Sequence, residues 1–142
     1  MNERSVKEAI EKAVKSLFAN QPDIFRLTSA SAQTEWNLTT HLARELSALF
    51  PAFACDVDIK KPDAGDRRPD IVFHQRGTHE DNFLVIEVKR DNQRAIPGEL
   101  EKIERYWFAE PYLYQFGAAI TLNSDFTHQV EVRANPRNPK NT

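Results

Sequence analysis

The chain has 142 residues with a net charge of −2, pI near 6.1, 40% hydrophobic and 28% charged residues, the profile of a single globular domain able to bury a core without staples. One cysteine, Cys55, excludes an internal disulfide framework and points to an intracellular, cytoplasmic setting. There is no apolar run of membrane-spanning length and no signal-peptide pattern, and the slightly acidic balance excludes a strong nonspecific nucleic-acid binder, so any positive surface must be local.

Residues 3 to 19 predict a helix: Val6, Ile10, Ala13, Val14, Leu17 and Phe18 recur at three-to-four spacing, and Asn20-Gln21-Pro22 ends it. Thr28-Ser29-Ala30-Ser31 offers caps for a second helix from about 33 to 50, closed by Pro51. On a helical wheel Leu38, Leu42, Leu46 and Leu49 form one stripe, and Glu35 projects onto its middle. A carboxylate on a buried face needs a partner, whereas in a first turn it can also simply favour the helix dipole; Glu45, near the edge of the stripe, is the rival position. Residues 53 to 60 alternate as a half-buried strand, with Asp56 and Asp58 on its solvent face. A turn-rich, charged connection brings Lys61, Arg67 and Arg68 to Pro69, as candidate phosphate contacts or as simply solvated loop charges.

The most informative stretch is 69 to 90. Two runs rich in β-branched and aromatic residues flank the turn material Gly77-Thr78-His79-Glu80-Asp81-Asn82, which predicts a hairpin. The second run, Phe83-Leu84-Val85-Ile86-Glu87-Val88-Lys89, is apolar enough for a covered strand, yet Glu87 and Lys89 interrupt it two residues apart and so share a face. With Arg76 opposite Phe83, Asp70 would lie opposite Lys89 and Val72 opposite Glu87, gathering Asp70, Glu87 and Lys89 on one face, with His74 on the same side. The alternative is that Glu87 and Lys89 serve only as ion-pairing charges on a half-exposed strand.

Downstream, Arg90, Arg94, Lys102 and Arg105 suggest an edge facing phosphates, diluted by Glu99, Glu101 and Glu104. Pro97-Gly98 opens a third helix from 99 to about 110 with Leu100, Ile103 and Trp107 inward. Residues 116 to 122 predict a buried strand, 127 to 133 an edge strand, and 135 to 142 a disordered basic tail, leaving residues 1–134 as the domain. The order α, α, β, β, β, α, β, β predicts an α/β fold with a mixed sheet flanked by helices. The four glycines make no phosphate-cradling loop, the four histidines have no tight metal spacing, and Trp36, Trp107, Tyr112 and Tyr114 are either core or a partner surface.

Pro69-Asp70 followed by Glu87-Val88-Lys89 at the end of a hydrophobic strand resembles the PD-(D/E)xK motif of the restriction-endonuclease-like nucleases. The superfamily core, α-β-β-β-α-β, is similar from about 33 to 122. The resemblance implies a metal-dependent nuclease in which Asp70, Glu87 and the Val88 carbonyl hold Mg²⁺, with Mn²⁺ as a substitute. It implies that Lys89 assists the attacking water, and that Glu35, from the helix before the first core strand, adds a further carboxylate. Arg67, Arg68, Arg90 and Arg94 are the candidate contacts to a DNA substrate. A homodimer or a larger nuclease assembly is compatible with this, as is a non-catalytic regulatory module that keeps the fold and acts by binding.

Overall fold

The structure is a computed structural model that describes residues 1–26, 32–61, 65 and 67–141. The caps expected at Thr28-Ser29-Ala30-Ser31 and part of the connection after Lys61 lie outside the described residues.

Helix α1 (Glu3–Asn20) opens with a reciprocal cap: Asn2 Oδ1 accepts from the Ser5 backbone, and Ser5 Oγ accepts from the Asn2 backbone. Its buried stripe is the expected one, Val6, Ile10, Ala13, Val14 and Leu17. Helix α2 (Ala32–Ser47) buries Leu38, Leu42 and Leu46 beside it. Strands β1 (Ala54–Val57), β2 (Ile71–His74), β3 (Leu84–Arg90), β4 (Phe116–Leu122) and β5 (His128–Ala134) form one sheet in that order, parallel only between β3 and β4. The parallel pair requires a crossover, made by helix α3 (Ile96–Lys102) and a π-helical turn, Ile103–Trp107.

The sheet is covered on both faces. Helices α1 and α2 pack on one face, over Ile71, Phe73, Leu84, Ile86, Val88 and the even-numbered residues of β4. The α3 segment with Trp107, Phe108, Tyr112 and Tyr114 packs on the other, over Val72 and Val85. This double cover is why β3 and β4 are apolar almost throughout. Each fully buried Leu, Ile or Phe contributes roughly 1.5–3 kcal/mol here, which fixes the strands and therefore the few polar side chains they carry. Gly117 on β4 is what lets the π-helical turn approach, since a Cβ there would run into Ile103 and crowd Phe108. Among the described residues, no helix is long and apolar enough to cross a membrane.

Several sequence expectations change. The hairpin register is Ile71 opposite Ile86 and Phe73 opposite Leu84, not Arg76 opposite Phe83. Strand β2 ends at His74 because Arg76 turns back to grip Asp56 and Gly77 takes a left-handed φ of 85°. The difference from the expected register is two residues, so every side chain keeps its face. Strand β1 stops at Val57, because Asp58 adopts φ 52°, and Asp56 is half-buried and paired instead of facing solvent. The third helix begins at Ile96, with Pro97 in its first turn, and ends as the π-helical turn.

Residues 135–141 are not a loose tail. Asn135 is fully buried and its amide donates to the carbonyls of Phe108 and Tyr114, Asn138 donates to Leu113, and Asn141 donates to Gln115 and to Asn135. These asparagines satisfy carbonyls of the segment leading into β4, so the stretch belongs to the domain.

Candidate functional site

Extending the register by one pair beyond Ile71 and Ile86 puts Asp70 opposite Glu87, at the end of the β2–β3 ladder. Asp70 Oδ2 accepts from the Val88 backbone N–H at 2.7 Å, and the Asp70 carbonyl accepts from Asp58 N–H. The carboxylate thus stands in where the ladder would otherwise continue, and its position is set from both neighbouring strands. Opposing carboxylates in adjacent strands repel, more so when desolvated. Burial first, then the charge of Asp70 and a hydrogen bond between the two carboxyl groups, push the Glu87 carboxyl well above the usual carboxylate range. Burial raises Asp70 too, against the pull of the Val88 N–H. The pair is a two-oxygen-donor group that binds a proton tightly and gains from a nearby positive charge.

Lys89 supplies part of that charge. Burial works against its ammonium, but Glu99, Glu35, Asp70 and Glu87 together hold it above the ordinary lysine value. Its Nζ lies 3.6 Å from Glu99 Oε1, which also faces Lys102 Nζ at 3.4 Å. Glu35 reaches the same end of the sheet from α2: its Oε2 accepts from the Arg90 backbone N–H at 3.0 Å, and its charge acts on both Asp70 and Lys89. The Leu38–Leu42–Leu46 stripe seats α2 on the sheet so that the first turn overhangs the end of β3. Glu45 is elsewhere, accepting from Asn20 at the end of α1.

Four residues singled out from the sequence, Glu35, Asp70, Glu87 and Lys89, are therefore close neighbours, and Val88 sits between the last two with its N–H engaged by Asp70. No known protein family, characterised protein or solved structure matches the chain. Among the described residues, no three His, Cys, Asp or Glu side chains are gathered tightly enough to cage a metal unaided. What the site does offer is Asp70 and Glu87, oxygen donors whose mutual repulsion a cation would relieve, next to the Val88 peptide. That set fits a hard ion such as Mg²⁺, which takes one or two carboxylates and keeps its waters, and not a soft metal that prefers sulfur or imidazole.

The residue sequence reasoning missed is Glu99. It is buried, and Ile96, Glu99, Leu100 and Ile103 lie on one helical stripe, the same signal that singled out Glu35. The arginines divide. Arg67 and Arg68 are exposed, Arg67 with its guanidinium 4.0 Å over the Tyr106 ring, and Arg94 is exposed in the 3₁₀ turn after β3. Arg90 is buried against Asp91 and the Phe25 ring, so it is packed inward and does not form the phosphate-facing edge. Lys61 and His74 lie at the other end of β2, away from Asp70. Trp107, Tyr112 and Tyr114 are core, whereas Trp36, one residue after Glu35, is 57% exposed.

Proposed function

We propose that the chain is a metal-dependent nuclease of the PD-(D/E)xK kind, hydrolysing phosphodiester bonds in DNA. The observation that carries the reading is the meeting of Asp70, Glu87 and Lys89 on one face at the end of β2 and β3, joined by Glu35. A carboxyl pair and an ammonium in a covered sheet are costly unless they serve a ligand. The order α2, β1, β2, β3, α3, β4 supports the same reading of the fold. Mg²⁺, with Mn²⁺ as a substitute, would be held by Asp70, Glu87 and the Val88 carbonyl, with Glu35 directly or through water, and would polarise the scissile phosphate and lower the pKa of a water.

The chain's own groups do the rest. The Val88 N–H orients Asp70. Lys89, kept charged by its acidic neighbours, donates to the attacking water or to a phosphate oxygen where negative charge develops. Glu99 is a positioning residue, holding the Lys89 ammonium from the α3 side. Arg67, Arg68 and Arg94 remain exposed for the DNA backbone. Incubation of plasmid, linear and branched DNA with Mg²⁺ tests this: the wild type cleaves, and Glu87→Ala and Lys89→Ala do not.

A second reading, a binding module without catalysis acting within a homodimer or larger assembly, is favoured by one observation, that Glu87 holds its proton strongly and shares a hydrogen bond with Asp70. Calorimetry separates the two. Heats of Mg²⁺ or Mn²⁺ binding that vanish in Glu87→Ala support the nuclease; no heat supports the module.

A further inference from the structure

We propose that the cavity at the His74 end of β2 is a binding site for a phosphate monoester, with Lys61 as its principal anchor. The cavity has a volume of about 500 Å³ and is lined by Asp56, Ile59, Lys61, His74, Arg76 and His79, with Lys60 at its exposed rim. The structure places none of these residues at the Asp70 end, and the inference is independent of the nuclease reading.

A chain of hydrogen bonds sets the charges. Arg76 donates twice to Asp56, at 2.9 and 2.7 Å, and Asp56 Oδ2 lies 2.7 Å from His74 Nε2. The carboxylate accepts from Nε2–H, which leaves His74 Nδ1 as the acceptor for Lys61 Nζ at 2.8 Å. Burial and the positive neighbours Lys61 and Arg76 act against protonation of His74 and outweigh Asp56, so its pKa is depressed and the imidazole stays neutral.

The consequence falls on Lys61. It is only 4% exposed, and among the described residues no carboxylate comes within ion-pair distance of its Nζ; its neighbours are a neutral imidazole and, at 5.3 Å, the face of the Tyr114 ring. Those partners compensate a buried ammonium only in part. In agreement, burial draws the Lys61 amine down to about 8 against the weak opposing pull of Asp56. Among the described residues, the buried Tyr114 hydroxyl has no hydrogen-bond partner.

The ligand class follows from charge and shape. Lys60, Lys61 and Arg76 stand against the single carboxylate of Asp56, so a dianion neutralises the cavity, and a phosphate monoester is the common dianion with three acceptor oxygens. The walls beyond the cationic end are mostly carbon, from Ile59 and the Gly77-Thr78 turn, which leaves room for an organic group on the ester.

The test is calorimetry at neutral pH with inorganic phosphate and phenyl phosphate. We expect one saturable site, with phenyl phosphate bound more tightly. Lys61→Met should weaken binding roughly tenfold or more, the loss of a charge-assisted hydrogen bond, and Lys60→Gln should weaken it several-fold while disturbing only the surface. Thermal unfolding of each variant reports whether it is folded. Lys89→Met, at the other end of the sheet, should bind phosphate as the wild type does. Absence of saturable binding, affinity untouched by both Lys61→Met and Lys60→Gln, or loss in Lys89→Met alone overturns the assignment. Acetate binding as tightly as phosphate overturns the preference for a dianion.

Discussion

Asp70 and His74 stand at the two ends of β2 on the same face, four residues or about 13 Å apart, and their surroundings are electrically opposite. At the Asp70 end four carboxyl groups, Asp70, Glu87, Glu35 and Glu99, meet Lys89 and Lys102. At the His74 end Lys60, Lys61 and Arg76 meet Asp56. Between them Val72 and Val85 are sealed under Trp107 and Tyr114. The apolar seam keeps the two charge sets from neutralising one another, so each end keeps its own balance of charge. Strand periodicity explains the shared face, and the covering α3 segment explains why Asp70, Glu87, Lys61 and His74 are withdrawn from solvent while Arg76 and Lys102 stay exposed.

Breaking the Asp70 end should have the largest effect. Glu87→Ala is expected to lower metal-dependent cleavage by at least about 100-fold, measured as initial rates on plasmid DNA. Glu87→Gln should be equally inactive yet at least as stable in urea unfolding, because its amide keeps a hydrogen bond to Asp70 and carries no charge to bury. Cleavage retained in Glu87→Gln, or a loss of stability, would remove the basis for a carboxylate pair held against its own repulsion.

Next in size are changes to the cover over the seam. Gly117→Ala drives a methyl into Ile103 and should cost about 1–3 kcal/mol. Asn135→Ala strands the carbonyls of Phe108 and Tyr114 and should cost about 2 kcal/mol. Both are read by urea unfolding. If the seam isolates the two ends, Gly117→Ala should weaken ligand binding at both, whereas Glu87→Ala and Lys61→Met should each disturb only one.

How far these features could be read in the sequence depended on the distance of the interaction. The faces of Asp70, Glu87 and Lys89 follow from parity alone, which is why a register two residues out still brought them together. Glu35 was legible because a carboxylate on the Leu38–Leu42–Leu46 stripe is locally anomalous. Glu99 carried the same signal but sat among Glu101 and Glu104, where it read as one more surface charge. Nothing local marks Asn135 as buried or pairs Lys61 with His74, since both depend on carbonyls and rings brought up from elsewhere in the chain. Arg76 was taken for a strand residue because its role, the grip on Asp56, is made twenty positions away.

The smallest effect expected is the acid response of the His74 end, and it sharpens the contrast because it involves no group near Asp70. The Arg76 fork lowers the Asp56 carboxyl to about 2, against burial and with help from His74. The unfolded chain takes up this proton near 3.8, so between those values the unfolded state binds more protons and stability rises with pH. The contribution is complete above about 4 and is lost as pH falls through 2. His74 acts in the same direction at higher pH, since its depressed pKa means that protonation below 6.5 favours unfolding. The raised carboxyls of Asp70 and Glu87 act in the opposite direction, so thermal unfolding from pH 2 to 7 should show the two weak losses on acidification as differences between the wild type and the variants that lack each group. Asp56→Asn should flatten the lower one and His74→Gln the upper. A lower descent that persists in Asp56→Asn would assign it to another carboxyl held below its ordinary value, such as Asp125 with its hydrogen bonds from Thr127, and would remove the acid response from the His74 end.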